Sequence, residues 1–172
     1  LALNVPRKGI VVHPLSRKLL RELFDVRVIL EGAAVEKILD NSTPVLVKSL
    51  SKIIAEQKKT LKAKDVKENE VLDDKFHRLV RTYINNQTLS DMVDANWMRI
   101  KHARCASSMV LPESGEAWIK NSIIRHERLF SAIKVLDYSS ARQVVTKNIT
   151  ESYEEVISTL EKMGWLDEDS LK

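Results

Sequence analysis

The chain has 172 residues, a net charge of +4, and 44% apolar against 30% charged residues, which is the balance of one soluble globular domain with a real core. Its single cysteine, Cys105, excludes an intrachain disulfide and suits a reducing, cytoplasmic setting. No apolar run is long enough to span a bilayer and no signal-peptide pattern opens the chain, so no membrane partner is expected.

Four Gly and four Pro are few for this length, and strand-like alternation is scarce, so the chain reads as mostly helix. Leu1 to His13 differ from the rest. Leu-Ala-Leu-Asn-Val and Ile-Val-Val flank Pro-Arg-Lys-Gly and predict two short strands around a turn. Arg7 and Lys8 fall at the tip. A hairpin with a basic tip is how a winged helix-turn-helix touches the DNA backbone, and it is equally an ordinary hairpin packed on a helical domain. If it is a wing, the helices that read DNA lie outside this sequence.

Ser16 is placed to cap a first helix over about residues 17–39, whose wide apolar face predicts a central position. Arg27 and Glu31 interrupt that face four residues apart. They can pair with each other, or Arg27 can hold an anion in a pocket. Thr43 and Pro44 start a second helix near 44–63, with Val47, Leu50, Ile54 and Leu61 inward and a lysine-rich outer face. A third helix follows Lys64-Asp65 and ends near Ile84. A fourth, capped by Thr88, runs to about Ser108 with Leu89, Val93, Trp97 and Ile100 inward and Arg99, His102 and Arg104 as polar candidates. After the loop at 111–115 a fifth helix runs to about Leu136 with Ile119, Ile123, His126, Phe130 and Ile133 on one stripe. Ser139 is expected to cap a last helix, to about Met163, with Asn148 on its pocket-facing line and Gly164 as its stop.

The third helix carries the most informative pattern. Val66, Asp73, His77, Val80 and Ile84 share one stripe, so a carboxylate and an imidazole take two positions of an apolar face. An inward carboxylate is costly unless a cationic group meets it. A divalent metal is one such partner and a simple Asp–His hydrogen bond is the other. His126 stands in an apolar stripe in the same way, which strengthens the metal reading. Phosphate-binding glycine loops, His-Glu-x-x-His, nucleophile elbows and paired Glu-x-x-His motifs are missing from the sequence.

Several ordered pieces resemble the C-terminal effector domain of GntR-family transcription regulators, in the FCD branch. They are Asp25-Val26-Arg27 with Leu30-Glu31 and Ala33-Ala34, Asp73-x-x-Phe76-His77, and Asn86-x-x-Leu89. His126-x-x-Leu129-x-x-Ala132-Ile133 and Ala141, Val145, Asn148 complete the series. The resemblance spans about residues 15–163. It implies an all-α antiparallel bundle of six to seven helices (15–166) for effector binding and dimerisation, behind a short β-hairpin (1–13) left from a winged helix-turn-helix.

By the same likeness Asp73, His77 and His126 would hold a divalent ion, zinc or nickel, with Asn148 where the family has a further histidine. The Asn148 amide could ligate, hold water or touch the effector. Arg27 and Arg99 would clamp a small carboxylate or sugar-acid effector, and Arg7 and Lys8 would meet DNA. The expected protein is a homodimeric, ligand-responsive regulator and not an enzyme. Two rivals remain at this stage. One is a helical metal-dependent hydrolase using Asp74 or Glu70 as base, and the other is a ligand-free interaction bundle.

Overall fold

The computed structural model describes residues 2–5, 9–12, 15–109 and 112–167, with side chains for 16–101, 103–104 and 115–166. Among these, six helices make the body of the protein: α1 (Arg17–Asp40), α2 (Pro44–Ala63), α3 (Val66–Arg81), α4 (Gln87–Met109), α5 (Pro112–Val135) and α6 (Tyr138–Lys162). None is long and apolar enough to cross a membrane.

Extended backbone at Ala2–Val5 pairs with Gly9–Val12. The turn between them, with Arg7 and Lys8, and every side chain up to Leu15 lie outside the described residues. The expected basic tip thus falls outside the described residues, and the fold the structure establishes is the helical bundle.

Short polar side chains start the helices by accepting the free N–H groups of the first turn. Ser16 accepts from Leu19 and Thr43 from Leu46, with Pro44 at the first helical position, as the sequence predicts. Two caps differ from expectation. Asn86, not Thr88, accepts from the Leu89 N–H at 3.1 Å, and Asp137, not Ser139, accepts from the Ser140 N–H at 3.1 Å. In each case an amide or carboxylate oxygen stands two residues upstream of the expected hydroxyl. The other differences are in length. α3 ends at Arg81 and α5 begins at Pro112, ahead of the expected Glu116, because Pro suits a first turn whose N–H groups have no partner anyway.

Gly164 closes α6 with a φ of 65°. Its N–H donates to the Glu161 carbonyl, and the Trp165 N–H donates to that of Leu160, at 2.9 and 3.0 Å. This is the paired bond pattern of a left-handed helix stop. α2 and α5 end on the same pattern with Lys64 (φ 56°) and Leu136 (φ 53°) in the left-handed position. Beyond Gly164, Leu166 packs on the core while Trp165 stays 46% exposed. Leu15–Ser16 pairs in parallel with Leu166–Asp167 and ties the two ends of the bundle together.

α1 packs on α6 and α4, α2 on α3 and α5, and α5 on α6. The main core is centred on Leu20, Phe76, Ile100, Ile133, Ile149 and Leu160, all fully buried, and a smaller separate cluster gathers Trp118, Ile119 and Ile123. Burial of each such side chain contributes about 1.5–3 kcal/mol, so the apolar stripes suffice to dock the helices. Gly32 on α1 lets α6 approach closely: a Cβ there would stand 3.2 Å from Arg142 Nε.

Candidate metal centre

α3 turns Asp73 and His77 to the same side, and α5 brings His126 against them. Asp73 and His126 are buried and His77 is nearly so. His126 Nε2 lies 3.4 Å from His77 Nε2 and 3.4 Å from Asp73 Oδ1, and His77 Nε2 lies 3.9 Å from Asp73 Oδ2. The Phe76 ring stacks on His126, with centroids 3.8 Å apart at 9°, and Trp97 rests on His77 at 4.5 Å. Aromatic surfaces thus fix both imidazole planes.

A hydrogen bond on its far side sets the His126 tautomer. Its Nδ1 is 2.8 Å from Gln57 Oε1, and Gln57 Nε2 donates to Asn69 Oδ1 at 3.3 Å. With the Gln57 oxygen as acceptor, Nδ1 carries the proton and Nε2 offers its lone pair toward His77 and Asp73. Gln57 and Asn69 are fully buried, and Thr60 Oγ1 also reaches Asn69 at 3.2 Å. On Asp73, the Ser122 hydroxyl donates to Oδ1 at 2.7 Å and Arg104 Nη1 approaches Oδ2 at 3.4 Å.

These surroundings decide the protonation states. Burial opposes the charge of Asp73, but Arg104, the two imidazoles and the Ser122 hydroxyl outweigh it and hold its carboxyl well below the usual range. Burial pushes His126 down to about 4, against the pull of Asp73 and with help from Arg104, Arg125 and Arg27. Burial likewise lowers His77, again opposed by Asp73. At neutral pH the cluster is one carboxylate and two neutral imidazoles, the form in which these groups bind metals.

The donor spacing fits an ion. Bonds of about 2.0–2.2 Å in a tetrahedral site place neighbouring donors about 3.3–3.6 Å apart. The two imidazole nitrogens are 3.4 Å apart, His126 is 3.4 Å from Asp73 Oδ1 and His77 is 3.9 Å from Asp73 Oδ2, and one donor atom from each residue lies within 4.8 Å of the other two. Among the described residues this is the group of His, Cys, Asp and Glu side chains gathered closely enough to share a metal.

The other predicted residues are placed as follows. Arg27 is buried: its Nε donates to Glu31 at 2.7 Å, the pairing the sequence offered, and the side chain lines the cavity beside the cluster. Its guanidinium stands 4.9 Å from the Trp97 ring centre, and its Nη1 is buried without a partner. Asn148 is half-buried and lines the same cavity, but its Nδ2 donates to the Arg125 carbonyl at 2.8 Å and its Oδ1 faces Arg128 at 3.4 Å. Arg99 is exposed on α4 and does not line the cavity. Arg104 and Arg125 do so instead, both buried, and Arg125 is held by Glu155 at 2.8 Å. Arg7, Lys8 and the side chains of His102 and Cys105 lie outside the described residues.

Sequence reasoning missed Gln57, Ser122 and Arg125, and it named Arg104 only as a polar candidate of α4 without a role. Gln57 has a signal, since it falls on the buried stripe of α2 three residues from Ile54 and seven from Leu50. Ser122 and Arg104 have none, because their roles depend on which helix faces them.

Among the described residues, six helices surround a buried Asp/His/His cluster. The FCD domain profile matches residues 22–151, from α1 to α6, and the chain belongs to the FCD domain family, as a GntR-type transcriptional regulator rather than an enzyme. The gluconate operon transcriptional repressor of Bacillus subtilis (strain 168) is 28% identical over 171 residues, covering 98% of this chain and 68% of the repressor. Among solved structures, E. coli McbR/YncC superposes with a TM-score of 0.77 at 18% identity, over 91% of this chain and 77% of that one. The metal-free FCD domain of TM0439 gives 0.68 at 18% identity, over 86% and 98%. At these identities the two structures establish the shared fold.

Proposed function

We propose that this domain senses a small carboxylate or sugar acid through a divalent ion, zinc or nickel, and passes the signal to DNA-binding domains in a homodimer. The observation that carries the reading is the pairing of a three-donor cluster with unmet hydrogen-bond donors in one cavity. Asp73, His77 and His126 supply the metal ligands. Arg27 Nη1 and Ser152 Oγ, which are buried without partners, belong to side chains lining the same cavity. Buried unsatisfied donors are rare and favour an acceptor-rich ligand. When bound, the ion supplies a positive charge to which a carboxylate can attach. Arg27 orients that carboxylate, Gln57 and Ser122 keep the donors aimed, and Phe76 and Trp97 keep bulk water out. Asn148 faces the ligand from α6 and is a weaker fourth donor.

The ligand would touch α1 through Arg27, α3 through Asp73 and His77, α5 through His126 and α6 through Ser152. Its arrival therefore biases the packing of four helices at once, with a coupling of about 1–3 kcal/mol typical of such switches. The outer faces of α1 and α4, which pack together, expose Val26, Ile29, Met92 and Met98. A second copy of the chain would cover them. DNA would be met by a winged-helix domain for which residues 1–13 form the wing, Arg7 and Lys8 lying against phosphates.

The similarity to a gluconate operon repressor puts sugar acids first in the test. Thermal unfolding is followed with zinc, nickel or chelator, and with a panel of sugar acids and dicarboxylates. The expected result is stabilisation by metal, a further shift by at least one acid in the presence of metal, and loss of both in Asp73→Ala and His77→Ala. Unfolding that ignores metal, chelator and every acid alike overturns the reading and leaves a plain interaction bundle.

A further inference from the structure

Three buried guanidinium groups line the cavity beside the candidate ligands, those of Arg27, Arg104 and Arg125. Two of them pair with a carboxylate outside the cluster: Arg27 with Glu31 at 2.7 Å and Arg125 with Glu155 at 2.8 Å. Arg104 instead faces Asp73, itself a candidate ligand. The two oxygens of that carboxylate keep different company. Ser122 and His126 meet Oδ1, at 2.7 and 3.4 Å. Arg104 and His77 meet Oδ2, at 3.4 and 3.9 Å. An ion shared by Asp73 and His77 therefore claims the oxygen that Arg104 approaches.

We propose that Arg104 is a built-in competitor for the cation: it holds Asp73 while the site is empty and yields when an ion arrives, so that loading is reversible and follows the supply of free metal. The proposal rests on the metal reading above and concerns how that same site is regulated. A buried carboxylate needs a cationic partner. With the site empty Arg104 supplies it, and the metal-free fold leaves no bare charge in its core. A divalent ion supplies it with twice the charge, and two cations on one buried carboxylate repel each other. Binding the ion thus costs the Arg104–Asp73 pair, and the affinity falls below what three donors alone would give. The guanidinium also has room to withdraw. Arg104 lines a second cavity, of about 180 Å³ between α3, α4 and α5, whose wall carries Glu70 and Asp74. Lys101 already holds Asp74 at 2.5 Å, which leaves Glu70 as the carboxylate nearer to hand. The Trp97 ring, 4.9 Å from the guanidinium, gives it a flat face along which to move.

The test is the zinc affinity of the whole chain, by competition with a chromophoric chelator, with melting temperatures taken in chelator and in saturating zinc. Arg104→Gln keeps a hydrogen-bond donor and removes the charge. It is expected to tighten zinc about tenfold, the scale of coupling between groups in contact, and to lower the metal-free melting temperature. The gap between the metal-free and zinc-loaded melting temperatures should widen accordingly. If Arg104 only aimed Asp73, its loss would weaken zinc about 10- to 100-fold instead. Arg125→Gln removes a similarly buried charge that belongs to Glu155, and is expected to change zinc affinity far less. Zinc affinity in Arg104→Gln at or below the wild-type value overturns the proposal and leaves the metal site standing. Equal tightening in both variants assigns the effect to the general field of the cavity and overturns it as well. Where Arg104→Gln does not fold without metal, Arg104→Lys decides, since it keeps the charge but not the planar fork. Wild-type affinity in that variant supports competition, and a loss of about tenfold or more overturns it in favour of an aiming role. A wild-type chain that binds no zinc removes the metal reading and this proposal together.

Discussion

Replacing Gln57 by Leu tests the proposed metal site at a residue outside its three candidate ligands. Leucine fills nearly the same volume, so no cavity opens, but it removes the oxygen 2.8 Å from His126 Nδ1. Gln57 is fully buried, so no water substitutes for that acceptor. An unmet buried N–H costs about 1–3 kcal/mol, which for a chain of this size lowers the melting temperature by about 2–4 °C per kcal/mol. The imidazole can escape by moving its proton to Nε2 and donating to Asp73 Oδ1, 3.4 Å away. That rearrangement ends its use as a ligand. Zinc affinity should therefore fall about 10- to 100-fold, the usual effect of removing the group that orients a ligating histidine. Gln57→Glu retains an acceptor and should keep wild-type affinity or exceed it. Competition with a chromophoric chelator measures both variants. If Gln57→Leu binds zinc within about twofold of wild type, the tautomer is not set by this bond and the argument for the site's aim fails.

Chelated protein should lose stability on mild acidification. His126 is lowered from 6.5 to about 4 by burial, so the unfolded chain takes up a proton that the native state refuses, and stability present above pH 6.5 is lost as pH falls through 4. A urea midpoint that stays flat across that window contradicts a neutral, buried imidazole. Leu136 holds a left-handed conformation and is half exposed, so Leu136→Gly should stabilise by up to about 1–2 kcal/mol in thermal unfolding, whereas Gly164→Ala should destabilise. For the proposed dimer face, Ile29→Asp and Met92→Asp should shift sedimentation from dimer to monomer while leaving zinc affinity untouched. A wild-type chain that sediments as a monomer removes that face from the proposal.

The sequence made the helices legible because few glycines and prolines interrupt their stripes. Asp73, His77 and His126 were legible because each breaks an apolar stripe, and a polar break in a greasy face must be answered from across the core. Arg99 and Arg104 show where that reasoning stops. They lie five residues apart on α4, more than a third of the way round the helix from each other, and both can extend to solvent or curl inward. Only the position of α3, which presents Asp73, made Arg104 the buried one. The caps failed for a local reason: Asn86-Gln-Thr88 and Asp137-Tyr-Ser139 each offer two competent side chains, and the backbone turn chose the first. Ser122, between Asn121 and Ile123, was not legible because a hydroxyl carries no pattern until a carboxylate faces it.

His126 follows His77 by 49 residues. During synthesis, a chain that has emerged only through α3 therefore displays two of the three donors, on adjacent turns of a single helix. The three donors come together only once α5 has left the ribosome and docked. Under the proposed reading, capture of a cation would therefore report that the distant halves of the polypeptide have found each other.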